Sequence, residues 1–548
     1  MTPWTGGAAA APTDTFDVVD CPPPAFTPTL GATVSSATAG GDTALSIHVE
    51  RPDRQLRLQR MAVSLPPGLT GRLTGVPRCT VADARAAACP AASRVGSARV
   101  AVGTGPEPLS LPGTVFLTDG YDGSLAGLAI VVDARLPALD LGTVVTLARI
   151  SLRGDGGIDV VSDDLPQRVQ GFATAYRSID LTIDRAGFLR NATGCDARAL
   201  HGTFTAVGGT TAAADAPYAA TGCDALPFGP RLTAELGAQG QNAPKGHPPL
   251  RVTIEQAPGQ SAMRRTVVTL PDGVSVDLKN LGSLCSAEQL AATTCPVASR
   301  IGSVRAETPL LPDALTGGVY LTQAATKGGL PGIALDLGLL RLQGTVAFAK
   351  GNRVQTTFDG IPDVPLSRLV LDLGGGPKAA LTASRDLCAA PPVFNAEFAA
   401  QSGAATAGDA AATVDGCDEL TATGELYGVA RKTPTLRLKL QSLNPLSQVR
   451  LALPSSMKVR SSRILRRDGR LVVGGRRVKG AKVGWSKGAV VVTLAAGTSS
   501  RGIQVTLPRG VLQLRRKVKS GARVAFAVTA LGTDKATRRV TTTLSAKR

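Results

Sequence analysis

Residues 79–97 read CTVADARAAACPAASRVGS, and residues 285–303 read CSAEQLAATTCPVASRIGS. The two strings share a pair of cysteines ten positions apart, a proline after the second cysteine and the ending S-R-[VI]-G-S. They lie 206 residues apart, and self-similarity at a fixed distance indicates an internal repeat. We therefore interpret the chain as tandem copies of one module.

Other landmarks recur around these strings in the same order. Cys21 and Cys223 each open the pattern C-x4-F-x-P-x-L, and Cys195 has its counterpart in Cys388. VSLPPGL at 63–69 corresponds to VTLPDGV at 268–274. We divide the chain into a disordered N-terminal segment, two full units and a partial third copy that passes into a basic domain. The predicted boundaries are 1–20, 21–222, 223–416 and 417–548.

Short apolar runs between frequent turn residues predict the fold class. The 548 residues include 62 Gly and 37 Pro, with Val, Thr, Leu and Ala between them, as in strands joined by turns. We predict an all-β protein of tandem two-lobed, β-sandwich-like modules of Ig-like size, followed by a C-terminal β-rich basic domain. The predicted lobes are 21–70 and 71–222 in the first unit, and 223–275 and 276–416 in the second.

A short helical turn is predicted between the two cysteines of each quoted string. Ser286 and Gln289 have the spacing of a capping box, and Thr80 and Asp83 stand in the equivalent place. A disulfide between the flanking cysteines would clamp this turn. The modules are therefore expected to carry disulfide-clamped helical turns within an otherwise β-rich fold.

The nine cysteines also predict the compartment, because ordered and repeated pairs are typical of disulfides in exported proteins. Cys21 is left without a partner, which indicates that a preceding unit and the export signal lie upstream of Met1. Reduced thiols in a cytosolic protein, and other pairings, remain alternatives. The spacings do not match a zinc site, and no metal or cofactor is expected. The predicted pairs are Cys79–Cys89, Cys285–Cys295, Cys195–Cys223 and Cys388–Cys417.

The ordered landmarks LPPGL, C…CPxxSxIG, GxVYLT and Cx4FxP resemble a repeat of uncharacterised, predicted exported proteins of high-GC Gram-positive bacteria. The resemblance covers roughly residues 21–453. It implies an exported, modular β-protein in the extracellular space or on the cell wall. It implies no activity, ligand or catalytic residue.

Few residues in the chain are suited to catalysis. The motifs of serine hydrolases, zinc proteases and nucleotide-binding proteins are missing from the sequence, and its histidines are His48, His201 and His247. Aromatic residues make up only 3% of the chain, which is poor in the flat rings that stack on sugars. The tripeptide Arg153-Gly-Asp155, which some adhesion receptors bind, is interpreted as a turn. We predict that the protein is not an enzyme, with an exported hydrolase of glycans as the alternative.

Positive charge is concentrated at the C-terminus. Residues 431–548 contain 28 Lys and Arg against 2 Asp, whereas the remaining 430 residues contain 32 basic and 39 acidic residues. Such a segment attracts polyanions, so we predict binding to an anionic cell-wall polymer or membrane surface. Sequence-specific nucleic-acid binding is not expected, because residues for base stacking are scarce; an intracellular protein that binds polyanions or nucleic acid remains an alternative. The candidate polyanion-binding residues are Arg466, Arg467, Arg476, Arg477, Arg515, Arg516 and Lys517.

These observations together predict a non-enzymatic, exported or cell-envelope scaffold whose repeat units form a stalk or binding surface. The basic C-terminal domain would associate with an anionic surface. No apolar run in the sequence is long enough to span a bilayer.

Overall fold

The computed structural model describes residues 25–136, 139–238, 241–324, 329–388, 390–416, 420–473, 476–478, 481–486, 488–494, 500–532 and 537–547. The predicted disordered segment 1–20 and Cys21 lie outside these residues. The predicted all-β class is confirmed, because strands dominate the described chain and its helices are short. The α-helices are Val81–Arg85, Ala287–Ala291 and Ser462–Asp468, and the 3-10 helices are Ala91–Ser93, Cys223–Ala225, Leu278–Asn280, Val297–Ser299 and Val429–Arg431.

The first unit is built on one antiparallel sheet of 11 strands. Its first and last strands pack against each other, so the sheet curls into a barrel-like shell around an aliphatic core. The strands, in order across the sheet, are Thr29–Val34, Leu45–Glu50, Tyr176–Ile183, Arg94–Val102, Leu109–Asp119, Ala126–Leu136, Leu139–Leu152, Ile158–Ser162, Leu58–Leu65, Arg198–Ala206 and Thr211–Tyr218. Two smaller sheets combine Asp42–Thr43, Leu189–Arg190 and Thr70–Gly71, and Arg168–Val169 with Phe172–Ala173.

The second unit repeats this topology strand for strand. One short strand is added in parallel to the edge, and a small sheet again pairs Val274–Val276 with Leu381–Ala383. In the same direction across the main sheet, the strands are Thr413–Val414, Arg231–Leu236, Leu250–Glu255, Arg368–Leu373, Arg300–Glu307, Leu315–Thr322, Gly332–Asp336, Arg341–Ala349, Arg353–Phe358, Met263–Thr269, Val393–Ala400 and Ala405–Ala411.

The two predicted lobes of each unit are not separate sheets. Leu45–Glu50, from the first predicted lobe, pairs with Tyr176–Ile183, from the second. Leu58–Leu65 likewise pairs with Ile158–Ser162 and Arg198–Ala206. The sequence pattern predicts single strands, but these pairings join segments about a hundred or more residues apart, which local patterns do not specify. The division at residues 70 and 275 is therefore corrected to one interleaved sheet in each unit.

The clamped helical turn has the predicted form in both units. The Thr80 side chain accepts a hydrogen bond from the Asp83 amide, and Ser286 and Gln289 form a complete capping box. Disulfides join Cys79 to Cys89 and Cys285 to Cys295 around these helices. The amides of Cys79 and Cys285 also donate to Leu117 and Leu321, each at 2.9 Å, which ties both clamps to equivalent strands. The predicted helical turns are confirmed.

The glycine in each S-R-[VI]-G-S string lies where two strands approach closely. A β-carbon at Gly96 would lie 2.1 Å from the Thr182 carbonyl oxygen, and one at Gly302 would lie 2.0 Å from the Asp372 carbonyl oxygen. Both glycines also lie at a register shift toward the following strand. The shared glycine is therefore required by the space between the strands.

We expect Gly96→Ala and Gly302→Ala each to lower the free energy of unfolding by about 1–3 kcal/mol, because the added methyl group forces the backbones apart. Chemical denaturation of the full chain measures this loss. Gly408→Ala is the matched control, because Gly408 lies in a strand with no heavy atom within 4 Å of its would-be β-carbon. Equal effects of the three substitutions would contradict the steric explanation.

The C-terminal domain keeps the frame of the repeat with a shortened middle. Strand Thr435–Ala452 pairs through its first half with Ser500–Leu507 and through its second half with Arg523–Gly532. In the first unit Leu45–Glu50 pairs in the same way with Tyr176–Ile183, and Leu58–Leu65 with Arg198–Ala206. Leu436, Leu438 and Leu440 alternate with Arg437 and Lys439 in the sequence, which predicts a half-buried strand. The structure confirms it, since the three leucines are buried while the basic residues between them are exposed. The remaining strands are Thr421–Tyr427, Met457–Val459, Arg470–Val473, Arg476–Arg477, Lys482–Ser486, Ala489–Thr493, Leu512–Leu514 and Thr537–Ser545.

One carboxylate of the second unit is buried in the first. Asp363 is 3% exposed and accepts hydrogen bonds from the Thr193 amide at 2.9 Å, the Thr193 hydroxyl at 2.6 Å and the Gly194 amide at 3.0 Å. The Thr193 hydroxyl in turn accepts from the Ala262 amide at 3.0 Å. Backbone and side-chain groups of both units therefore share one buried polar network.

Candidate functional site

Three loops of the C-terminal domain meet at one end of it. The Leu514 amide donates to the Lys432 carbonyl at 2.9 Å, and the Arg515 amide donates to the Ser456 carbonyl at 2.8 Å. The Arg460 amide donates to the Val511 carbonyl at 2.9 Å. These bonds, together with the pairing of Met457–Val459 with Leu512–Leu514, bring three separate basic segments together. We call this surface the basic end and define it by Lys432, Lys458, Arg460, Arg515, Arg516 and Lys517.

The side chains of the basic end point to solvent. All six residues are exposed, and none of them forms a salt bridge with a described acidic side chain. Glu425 is an acidic residue of this domain whose side chain is described, and its partner is Lys547 at 3.2 Å. Hydrogen bonds from Tyr427 and then Lys547 lower the pKa of the Glu425 carboxyl. Lys547 therefore already compensates the charge of Glu425. The basic end presents six exposed cationic side chains, which together give it a positive field.

Three of the seven predicted polyanion-binding residues lie in this surface: Arg515, Arg516 and Lys517. Arg466 and Arg467 are exposed on a different element, the helix Ser462–Asp468. Arg476 and Arg477 form a short strand, but their side chains lie outside the described part of the structure.

Sequence reasoning missed Lys432, Lys458 and Arg460 as partners of the Arg515 cluster. They lie more than 50 residues from that cluster in the sequence, and only the pairing of strands and the backbone hydrogen bonds between loops bring them to it. The sequence VRLALP at 449–454 shares its Leu-Pro step with VSLPPGL and VTLPDGV. It could have indicated the position of Lys458, because this step precedes the strand that forms the pairing in each unit.

The basic end occupies the position that receives Asp363 in the first unit. In the first unit Thr70–Gly71 pairs with the short strand that begins at Leu189, and in the C-terminal domain Met457–Val459 pairs with the short strand that begins at Leu512. Counted from these leucines, Thr193 and Gly194 correspond to Arg516 and Lys517. The first unit therefore binds a carboxylate of its neighbour at this position, and the C-terminal domain presents cationic side chains there.

Two further disulfides are predicted, and the structure describes one of them in full. Cys195 and Cys223 form a disulfide in the first unit. Cys388 is disulfide-bonded, and Cys417, its predicted partner, lies outside the described residues.

The structure does not assemble a hydrolase site from the histidines. The His48 Nδ1 atom lies 2.6 Å from Asp180, and that of His201 lies 2.8 Å from Asp215, both across exposed strands. His247 contacts the Leu381 carbonyl at 2.8 Å. Within the described chain, no serine hydroxyl is a hydrogen-bond partner of these imidazoles, so the geometry of a Ser-His-Asp triad is not formed there.

The tripeptide Arg153-Gly-Asp155 is used within the fold. The Arg153 guanidinium donates to Asp159 at 2.6 Å and to the Leu65 carbonyl at 2.9 Å, and it also pairs with Asp155. An arginine held by these bonds is not presented to a receptor. These contacts support the interpretation of this tripeptide as a turn.

The described residues contain neither a metal-binding cluster nor a helix suited to crossing a membrane. No group of three or more His, Cys, Asp or Glu side chains there is arranged to hold a metal ion. None of the helices described is both long enough and apolar enough to cross a membrane.

Comparisons with known proteins give weak similarities to solved structures. No protein-family model matches the sequence, and no curated protein matches it. One similar structure is that of the Enterococcus faecalis MSCRAMM ACE, which binds its ligands by the collagen hug model. The identity is 9% and the TM-score 0.19, with 70% of this chain and 93% of that one covered.

Two other similar structures come from a pilin and an adhesion protein. BcpA, the major pilin subunit of Bacillus cereus, has 9% identity and TM-score 0.21, with 89% of this chain and 98% of that one covered. A tetra-tandem repeat from the extending region of a large adhesion protein has 12% identity and TM-score 0.14, with coverages of 95% and 100%. At these TM-scores the similarities carry no conclusion about function.

Proposed function

We propose that this protein is a non-enzymatic, exported scaffold of the cell envelope whose basic end binds a phosphate-rich surface. The observation that carries the proposal is the convergence of three loops that expose six cationic side chains without described acidic partners. The disulfides support an oxidising location outside the cytoplasm. The serial units would then hold the rest of the chain away from the surface to which the basic end is bound.

The chemistry of the basic end favours repeated phosphate groups over a single small anion. Exposed Lys and Arg side chains attract an anionic surface by about 1 kcal/mol each when they lie close to it. Three loops that contribute to one surface can contact several phosphates at once, and Arg can bind each one through two parallel hydrogen bonds. Phospholipid headgroups and glycerol-phosphate wall polymers share this chemistry.

We expect the full-length variant Arg515→Gln/Arg516→Gln/Lys517→Gln to bind anionic vesicles about 100-fold more weakly than the unchanged protein. Loss of three cations at about 1 kcal/mol each accounts for this factor. Co-sedimentation with phosphatidylglycerol vesicles measures it, and beads carrying poly(glycerol phosphate) provide the wall-polymer arm. Binding should also weaken between 0.1 and 1 M salt, as the Debye length falls from about 10 Å to about 3 Å.

The matched control is Arg437→Gln/Lys439→Gln/Arg470→Gln, which removes the same charge from exposed strand positions of the same domain. This control should bind within about a factor of three of the unchanged protein, since its residues lie outside the basic end. Equal weakening of both triple variants would show that net charge, not the basic end, determines binding. Salt-resistant binding by the unchanged protein would refute the electrostatic mechanism.

A further inference from the structure

The shell of the first unit encloses a cavity of about 280 Å³. The inward-facing side chains of its strands form the wall, together with a few residues of the second unit. A cavity of about 150 Å³ stays dry when its walls are apolar, and it is large enough to bind a small hydrocarbon. The first unit therefore has room for an apolar ligand.

The cavity wall is aliphatic and carries no charged side chain. Leu, Ile, Val and Ala supply most of it, and Tyr176 and Phe188 are its aromatic residues. The Tyr176 hydroxyl donates to the Pro166 carbonyl at 3.0 Å, and the Ser162 hydroxyl accepts from the Met61 amide at 3.1 Å. Burial raises the pKa of Tyr176 to about 12, so this phenol stays neutral. The wall thus offers dispersion contacts and almost no hydrogen bonds to a ligand.

The second unit contains apolar space beside this cavity. A second cavity of about 180 Å³ lies there, and both cavities are lined by Thr308, Leu315, Leu340 and Val364. These four residues separate two adjacent spaces, so the apolar region is elongated and crosses the boundary between the units. An elongated region suits a flexible chain better than a compact ring system.

The cavity of the first unit also reaches the protein surface. Leu109 and Leu339 both line it, yet they are 39% and 38% exposed. Large apolar side chains at this exposure mark where the lumen opens to solvent. A ligand with a polar head could leave its head in water there while its apolar part enters the lumen.

We propose that the lumen of the two repeat units binds the hydrocarbon chain of a long-chain amphiphile, with the polar head left at the surface. The walls supply aliphatic contacts along the chain, and the shared residues place the second cavity directly beside the first. Binding of this ligand does not involve the basic end, which lies in the C-terminal domain.

The test uses the full chain and cis-parinaric acid, a fluorescent 18-carbon fatty acid, below its critical micelle concentration and at 1 M salt. We expect a saturable rise in fluorescence with one site per chain, reversed by palmitic acid. Ala134→Leu/Ala148→Leu should weaken binding about tenfold, because both residues line the lumen and the added carbons occupy ligand volume. The control is Thr143→Leu, which changes an exposed residue on the same strand as Ala148. This variant should bind the probe as tightly as the unchanged protein does.

Leu340→Trp gives a second test at the wall that both cavities share, should the double leucine variant fail to fold. The proposal is overturned if the unchanged protein shows no saturable binding, or if both lumen variants bind the probe at full affinity. Equal competition by a rigid sterol and by palmitic acid would overturn the assignment to a linear chain. The triple glutamine variant of the basic end should bind the probe normally, so this assay and the vesicle assay can fail separately.

Discussion

An Asp363→Ala variant is expected to lose about 3–5 kcal/mol of the free energy that holds the first two units together. The carboxylate accepts three buried hydrogen bonds from Thr193 and Gly194, and bonds to a charged acceptor contribute about 1.5–3 kcal/mol each. Removal of the carboxylate leaves two backbone amides without their acceptor in a buried site. The loss is less than the sum of the three bonds, because they share one network.

The variant should unfold in two separate calorimetric transitions and should be cut faster by a protease between the units. Asp359→Ala is the control, because Asp359 lies in the same loop but is exposed and bonds only to the neighbouring Gly360 amide among its described contacts. Asp363→Asn should show an intermediate loss, since its amide oxygen still accepts hydrogen bonds. An Asp363→Ala protein as stable and as protease-resistant as the control would show that the carboxylate does not hold the units together.

The features that sequence predicted well are those determined by neighbouring residues. The capping box at Ser286 depends on Gln289, only three positions away. The sequence Trp485-Ser-Lys-Gly488 between apolar runs likewise predicts a hairpin, and Lys482–Ser486 pairs with Ala489–Thr493 there. The repeat itself indicated that the two units share one topology, because equal landmarks require equal surroundings. Phe116 and Tyr320 hold the same place in the repeated GxVYLT landmark, which predicts equivalent core positions for them. They occupy equivalent register positions opposite Arg94 and Arg300, but the prediction of core positions is wrong, because both are only half-buried.

The features that sequence did not predict depend on pairings between distant segments. Asp363 is one aspartate among many in the sequence, and only the contact between units shows that Thr193 and Gly194 are its partners. The basic end was predicted in part, as the run Arg515-Arg516-Lys517. Its contributions from Lys432 and Lys458 require the strand register, which single-sequence periodicity does not specify.

A Cys195→Ser/Cys223→Ser variant is expected to be about 3–4 kcal/mol less stable than the unchanged protein. The disulfide closes a loop of 28 residues, and the entropy that such a loop removes from the unfolded chain accounts for this range. Cys195 directly follows Gly194, whose amide bonds to Asp363. Loss of the disulfide should therefore also loosen the junction between the units. Chemical denaturation measures the loss of stability, and the rate of proteolysis between the units measures the loosening of the junction.

The control is Cys79→Ser/Cys89→Ser, which opens a smaller loop with a sequence separation of 10. It should lose about 2–3 kcal/mol on the same entropy scale, but the rate of proteolysis between the units should stay unchanged. Combination of the Cys195/Cys223 change with Asp363→Ala should cost less than the sum of the separate losses, because both changes act on residues 193–195. Additive losses would mean that the disulfide and the buried carboxylate act independently. A Cys195/Cys223 variant with unchanged proteolysis between the units would place the effect of this disulfide within the first unit alone.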